Sequence, residues 1–299
     1  DSVFFKFNLT DLEGEKIVGK KALEITIELS QDVERVATKF LKGPHTLEYE
    51  KTFLPLLLLS KKRYVGPLYE FDHNKPKCTK SMGIVLKRRD NAPCVKDCYG
   101  GIIDILMNKK NVPAAIKFLK GYLNDMVNKK IPIEKLIISK SLRKVYKNPE
   151  SVAHWVLAER MESRVAGSRP SPGSRIPYVY IQTKTKVKLQ GDKIEHPDYV
   201  RKNNLVPDYE HYITNQLMKP ILQIFGLLIK QIPQLKRKIR EFDRVLRSIY
   251  RQYENNEKKL REKEEKLRNK YVKGVLFDEY LRLAKQNRTG QKSILNYFG

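Results

Sequence analysis

Apolar positions recur three to four residues apart between 19 and 40, with Leu23, Ile27, Val33 and Val36 along one side. That spacing predicts an amphipathic helix. Ahead of it, Val3-Phe4-Phe5-Lys6-Phe7 reads as a strand. Behind it, residues 46–53 alternate, with Leu47, Tyr49 and Phe53 on one side and Glu48 and Glu50 on the other, which predicts a second strand. Residues 56–65 are almost wholly apolar until Ser60-Lys61-Lys62-Arg63-Tyr64, and they predict a third strand whose end carries adjacent cations. Gly66-Pro67 reads as a boundary, and residues 81–88 as a further short strand.

Beyond Pro93 the pattern turns mostly helical, over 95–108, 114–128, 151–164 and 209–230, with extended stretches at 131–139 and 178–182 and a Gly/Ser/Pro loop at 167–175. Residues 234–273 contain no Gly or Pro and are dense in charge. A thin stripe of Leu235, Ile239, Phe242, Leu246, Ile249, Tyr253, Leu260 and Leu267 predicts one long helix, mostly solvated, with docking along the stripe as the other reading. The final stretch, 286–299, is expected to stay flexible until bound. Strands grouped ahead of helices make the fold class α+β.

The net charge of +26 and pI near 9.8 sharpen this picture. Such an excess repels itself unless a polyanion is present; nucleic acid is the first expectation and an acidic membrane surface the second. No apolar run approaches the roughly 20 residues that a bilayer span needs, and the chain does not open on a signal-peptide pattern. The three cysteines, Cys78, Cys94 and Cys98, read as free thiols of a reducing compartment. Cys94 and Cys98 could form half of a zinc site, but no second pair follows them. The chain starts at Asp1 and enters a strand at once, which suggests a fragment or one piece of an interrupted gene.

Candidate chemistry sits at the strand ends. Glu48 and Glu50 share a face, and two carboxylates on one face repel unless cations or a metal lie between them; from spacing alone, a solvated strand face is the simpler account. Asp1 heads a strand, where a metal-ligating carboxylate could lie. Lys61, Lys62, Arg63 and Tyr64 form one cluster and Lys87, Arg88, Arg89 and Asp90 a second. A charged strand end is commonly just where a chain meets solvent, yet cations beside a tyrosine are what phosphate and sugar contacts use. Asp90 could hold a neighbouring Arg by a bidentate pair.

Together these stretches resemble the replicative B-family DNA polymerases, of the eukaryotic delta type and its large-DNA-virus relatives. "DSVFFKF" is similar to the end of the palm's Y-G-D-T-D-S motif, from its second aspartate. "LEYEKTFLPLLLLSKKRYVG" resembles the following strand pair with its K-K-R-Y element, and "SMGIVLKRRDNAP" the entry to the thumb. "LIISKSL", "HWVLAERM", "IPYVYI" and "DYEHYITNQLMKPILQIF" follow in the family's order, so the resemblance runs to about residue 228. It implies the C-terminal part of a palm over 1–66, a thumb over 67–232, a charged helical tail over 233–285 and a flexible end over 286–299. Asp1 would be the palm aspartate that ligates two catalytic Mg2+ ions, with Glu50 and Glu48 close by. Lys61, Lys62, Arg63 and Tyr64 would hold primer-template DNA behind the growing end, and Lys87, Arg88 and Arg89 would hold it further back. The place of action would be a nucleus or a viral replication compartment.

The palm's other aspartate, the fingers that bind the incoming deoxynucleotide and the proofreading nuclease lie upstream in the family and are not in this sequence. The chain alone is therefore expected not to extend a primer, and an N-terminal remainder, in one chain or a separate one, is expected to complete it. The cysteine-rich modules that end the delta type are replaced by the charged tail, which favours the viral branch. "QKSILNYF" resembles a sliding-clamp-binding box, with Gln291, Ile294, Tyr297 and Phe298 at its spacing. The competing expectation is a non-enzymatic module that binds duplex and tethers a clamp.

Overall fold

The predicted helix forms as α1, Gly19–Phe40, with Leu23 and Ile27 buried and Val36 left exposed. The computed structural model describes residues 2–87, 89–183 and 187–289. The chain divides into two compact units, Asp1–Lys87 and Arg88–Gly299, and the fold is α+β.

The first unit is a small antiparallel sheet flanked by α1. Its strands are β1 (Thr52–Phe53), β2 (Leu57–Ser60), β3 (Arg63–Tyr69) and β4 (Cys78–Met82). β3 is central: β4 pairs along one edge, while β1 and β2 share the other. Four expectations change here. Residues 3–7 form no strand; Val3, Phe4 and Phe5 are exposed, and no described strand pairs with them. The strand expected over 46–53 shrinks to Thr52–Phe53, because α1 side chains take the bonds a ladder would have used. The Leu47 N–H donates to Thr38 Oγ1 at 3.2 Å and the Tyr49 N–H to Glu34 Oε2 at 2.8 Å. The apolar run 56–65 is two strands, since the chain reverses at Lys61-Lys62. Gly66-Pro67 accordingly lies inside β3.

The second unit is mainly helical. α2 (Pro93–Asp104) opens with Pro at its first position, where the missing N–H costs nothing. It buries Cys94, Val95, Cys98, Tyr99, Ile102 and Ile103, then continues as a wider turn over Ile105–Lys109. α3 (Val112–Val127) is capped by Asn111, whose Oδ1 accepts from the Ala114 N–H at 2.9 Å. The two helices pack closely because Gly101 lacks a Cβ; one there would lie 2.4 Å from the Phe118 ring. The expected extended stretch 131–139 is instead a short helix, α4 (Ile133–Leu136), leading into β5 (Ile138–Ser141). β5 pairs with β6 (Arg175–Tyr180), which pairs with β7 (Ile194–Glu195). α5 (Ala153–Arg164) lies between β5 and β6, and α6 (Pro197–Lys202) follows β7.

Tyrosines pin the next segment. α7 (Tyr209–His211) passes through Tyr212–Leu217 into α8 (Met218–Leu227). Tyr212 Oη donates to the Leu136 carbonyl at 2.6 Å and accepts from the Tyr180 N–H at 3.1 Å. Tyr209 Oη donates to the Ile131 carbonyl at 2.8 Å. Both phenols are thus satisfied as their rings leave water.

The tail is not one long helix. α9 (Ile239–Gln252), α10 (Glu257–Leu276) and α11 (Asp278–Thr289) fold back on the unit. The break falls at 253–256, where Asn256 Oδ1 accepts from the Lys259 N–H at 3.0 Å and starts a new helix. α10 packs on α8 and α9, and α11 on α3 and α7. The apolar stripe is the inner seam of this fold, with Leu235 and Phe242 buried. Residues 286–289, expected to be flexible, are helical: Asn287 Nδ2 donates to the Val127 carbonyl at 3.1 Å, and Arg288 pairs with Glu210 at 3.4 Å.

Candidate nucleic-acid interface

The first cationic cluster is the turn of a β-hairpin. Leu57 faces Val65, Leu58 faces Tyr64 and Ser60 faces Arg63, with a bulge at Leu59 that strengthens the local twist. Lys61 and Lys62 make the reversal itself, so both side chains are exposed, and neither pairs with a carboxylate among the described residues. Lys62 takes a left-handed backbone, φ 61°, which is uncommon for a non-glycine residue. Its carbonyl is covered by Gly83, itself at φ 61°; a Cβ on Gly83 would lie 2.2 Å from that oxygen. Arg63 Nε donates to the Gly83 carbonyl at 3.3 Å. The turn is braced by β4 and its exit, and among the described residues no carboxylate neutralises its cations.

Tyr64, the fourth residue of the cluster, points the other way. Its ring is 7% exposed and packs edge-on against Phe4 at 5.3 Å and Phe53 at 5.6 Å. Burial of these rings fixes the strand from which the cations project.

Glu48 and Glu50 keep the expected parity. Both are exposed, whereas Leu47 and Tyr49 are partly buried. Tyr49 Oη donates to the Glu70 carbonyl at 2.8 Å, and burial pushes its pKa up. Glu50 is paired with Lys51. Asp1 lies outside the described residues, and among those described no group of three or more His, Cys, Asp or Glu side chains could hold a metal ion. The described residues do not by themselves make a magnesium site. Cys94 and Cys98 are core thiols; burial pushes the Cys94 pKa up to about 12 and that of Cys98 higher still.

The second cluster does not end a strand. β4 stops at Met82, and Val85–Lys87 form a single 3₁₀ turn. Arg88 lies outside the described residues, as do Gln291, Ile294, Tyr297 and Phe298. Arg89 is exposed. Asp90 pairs with Lys140 at 3.1 Å.

Asp90 and Lys140 line a surface pocket of about 530 Å³ in the second unit, with Arg143, Tyr146, His154 and Arg175. Arg175 Nη2 donates to the Ser139 carbonyl at 2.5 Å, and Tyr146 Oη accepts from the Arg143 N–H at 2.8 Å. Burial, with Lys140 and Arg143 nearby, holds the His154 pKa below its ordinary value, so the imidazole is neutral at pH 7 and meets Tyr146 Oη at 3.0 Å. Three cations around an open pocket suit an anion. Sequence reasoning singled out Asp90 but missed the site, because its residues are spread from 90 to 175.

Not every arginine here is free for a ligand. Glu195 is buried, 3% exposed, and takes Arg160 Nη1 at 2.8 Å and Arg164 Nη2 at 2.8 Å. Arg160 also donates to the Gly191 and Ile194 carbonyls, and Arg164 lies 3.7 Å over the Tyr199 ring. Burial alone would raise the Glu195 pKa; the two guanidiniums overcome it and leave the pKa lowered. These arginines tie α5 to β7.

The motif order of both units has a match among known proteins. The sequence profile of DNA polymerase family B matches residues 1–228. The chain belongs to DNA polymerase family B. It is 49% identical, over its whole length, to a DNA polymerase of Pyramimonas orientalis virus, covering 24% of that protein. It is 36% identical over 228 residues to the DNA polymerase delta catalytic subunit of Caenorhabditis elegans, covering 75% of this chain and 20% of that subunit. The solved family B polymerase of the archaeon Pyrobaculum calidifontis superposes on 66% of this chain and 24% of its own, with TM-score 0.48 and 20% identity. This family B chain thus spans about a quarter or less of the length of these relatives. The profile ends at residue 228, so α9, α10 and α11 lie beyond it.

Proposed function

We propose that this chain is the C-terminal palm and thumb part of a DNA-templated DNA polymerase and that it grips primer-template duplex during replication, in a nucleus or a viral replication compartment. The observation that carries the reading is the β2–β3 turn. Lys61 and Lys62 are adjacent, exposed and unpaired among the described residues, on a hairpin braced by Gly83. Ammonium groups held this way bind phosphates by charge and position without reading bases. Arg63 and Arg89 add to the grip, and the pocket of Lys140, Arg143 and Arg175 offers a further backbone contact. Tyr64 serves the interface from below, through its packing.

Family B enzymes depend on divalent metal, which supplies charge stabilisation for nucleotidyl transfer. Asp1 is the residue proposed to hold Mg2+, with Glu50 and Glu48 nearby and further carboxylates from the N-terminal remainder, which would also bind the deoxynucleotide. Gln291, Ile294, Tyr297 and Phe298 are proposed to bind a sliding clamp.

The duplex reading is tested by titrating the full chain with primer-template duplex over a range of salt. The slope of log K against log salt should be steep and should flatten by about two units in Lys61→Gln, Lys62→Gln, at roughly 0.9 per phosphate contact. A slope that the double variant leaves unchanged removes the hairpin from the interface.

A further inference from the structure

The tail carries a second charged surface. Arg240, Arg244, Arg247 and Arg251 on α9 follow the spacing i, i+4, i+7, i+11. At 100° per residue they fall within about 60° of the helix circumference, along a line of roughly 16 Å. All four are exposed, and none makes an ion pair among the described residues. Lys236, Arg237 and Lys238 extend the positive end.

The acids of α9 are turned elsewhere. Glu241 accepts from Tyr271 Oη at 2.8 Å, and Asp243 lies 3.7 Å from Lys230. α10 is different: it closes Arg261 on Glu257 and Arg268 on Glu264 within one helix, as ordinary solvated helices do. The contrast within one tail separates a neutralised face from a bare one.

We propose that α9 is an additional binding surface for the phosphate backbone of duplex DNA, beyond the part of the chain that the family profile matches. It rests on the reading that the chain grips duplex. Three observations select this partner. The apolar side of α9 is already used: Phe242 is 2% exposed and packs on Tyr271 at 5.5 Å, which leaves no face to enter a bilayer. The arginine line carries no aromatic ring, and Tyr250 is held toward α10, its Oη 3.4 Å from Glu264, so the platform that single strands stack on is missing. A straight row of guanidiniums suits a regular array of phosphates.

The test uses the full chain with the substitutions Arg240→Gln, Arg244→Gln, Arg247→Gln and Arg251→Gln together, and a second variant with Lys at the same four positions. Both are checked for helix content by circular dichroism. Binding to a 30-base-pair duplex is measured against salt, in parallel with vesicles containing phosphatidylserine. The Gln variant should flatten the duplex slope by about three and a half units, at roughly 0.9 per phosphate, while the Lys variant keeps it. An unchanged slope in the Gln variant overturns the proposal and leaves the hairpin reading intact, since Lys61→Gln, Lys62→Gln tests that separately. A loss seen on vesicles and not on duplex overturns it in favour of a membrane. A wild-type chain that does not bind duplex at all overturns both readings.

Discussion

Gly83→Ala adds one methyl group at a residue that touches no proposed ligand, yet it should disturb the interface. Two costs add. A non-glycine residue at φ 61° pays about 1–2 kcal/mol for the left-handed backbone. The new Cβ would also sit 2.2 Å from the Lys62 carbonyl oxygen and 3.1 Å from Arg63 Cγ, so the hairpin turn has to shift. Crowding of this kind costs about 1–3 kcal/mol. The sum, about 2–5 kcal/mol, falls on β3 and β4, whose pairs run from Tyr64–Met82 to Leu68–Cys78. Fluorescence of the single tryptophan is the wrong probe, because Trp155 lies in the second unit. Amide hydrogen exchange is the right one: protection of the β3 and β4 amides should fall at least about 30-fold, a factor of ten per 1.4 kcal/mol. Duplex affinity should fall as well, with the salt slope kept because every cation remains. Unchanged exchange in β3 and β4 would refute the idea that Gly83 braces the turn.

The buried ion cluster gives a pH-dependent prediction. Glu195→Gln should destabilise the second unit by about 2–3 kcal/mol, less than a fully buried pair because the arginines remain partly exposed. The Glu195 pKa is lowered on folding, so its contribution is complete above the ordinary carboxylate range and is lost as pH falls through the lowered value. Urea unfolding followed by Trp155 should show a wild-type to variant gap that is constant at neutral pH and closes in acid; a gap independent of pH counts against the charge as its source. At the chain end, a peptide covering 288–299 should bind the cognate sliding clamp on the order of micromolar, and the Tyr297→Ala, Phe298→Ala peptide should lose most of that binding; equal affinities would remove the clamp role.

Much of this was legible in the sequence, for physical reasons that differ by segment. α1 was readable because its apolar positions follow the helical period and nothing nearby competes for its backbone. α2, α3 and α5 were readable for the same reason. The parity of Glu48 and Glu50 was also correct, because an extended chain alternates whether or not it joins a ladder. Ladder membership was not readable, since it depended on Thr38 and Glu34 of α1 taking the backbone donors of 47 and 49. The reversal at Lys61-Lys62 was hidden because neither residue is a customary turn former; it is stabilised by Gly83, twenty-one residues on. In the tail, the absence of Gly and Pro suggested continuity, whereas the actual break lies at 253–256, where Asn256 caps the start of a new helix. The cations at 61–63 and 89 could be named from sequence. The arginine line of α9 could have been found from its spacing, but it was submerged in the charge of the whole segment.

The central claim is that the β2–β3 turn lies on the backbone of primer-template DNA. Site-specific cross-linking tests it most directly: a duplex carrying photoreactive groups on successive phosphates behind the primer end is bound to the full chain, irradiated and mapped by mass spectrometry. The account predicts adducts within residues 57–69, concentrated at Lys61 and Lys62 and suppressed by excess unlabelled duplex. Adducts confined to other segments, with 57–69 unmodified at saturating duplex, would contradict it.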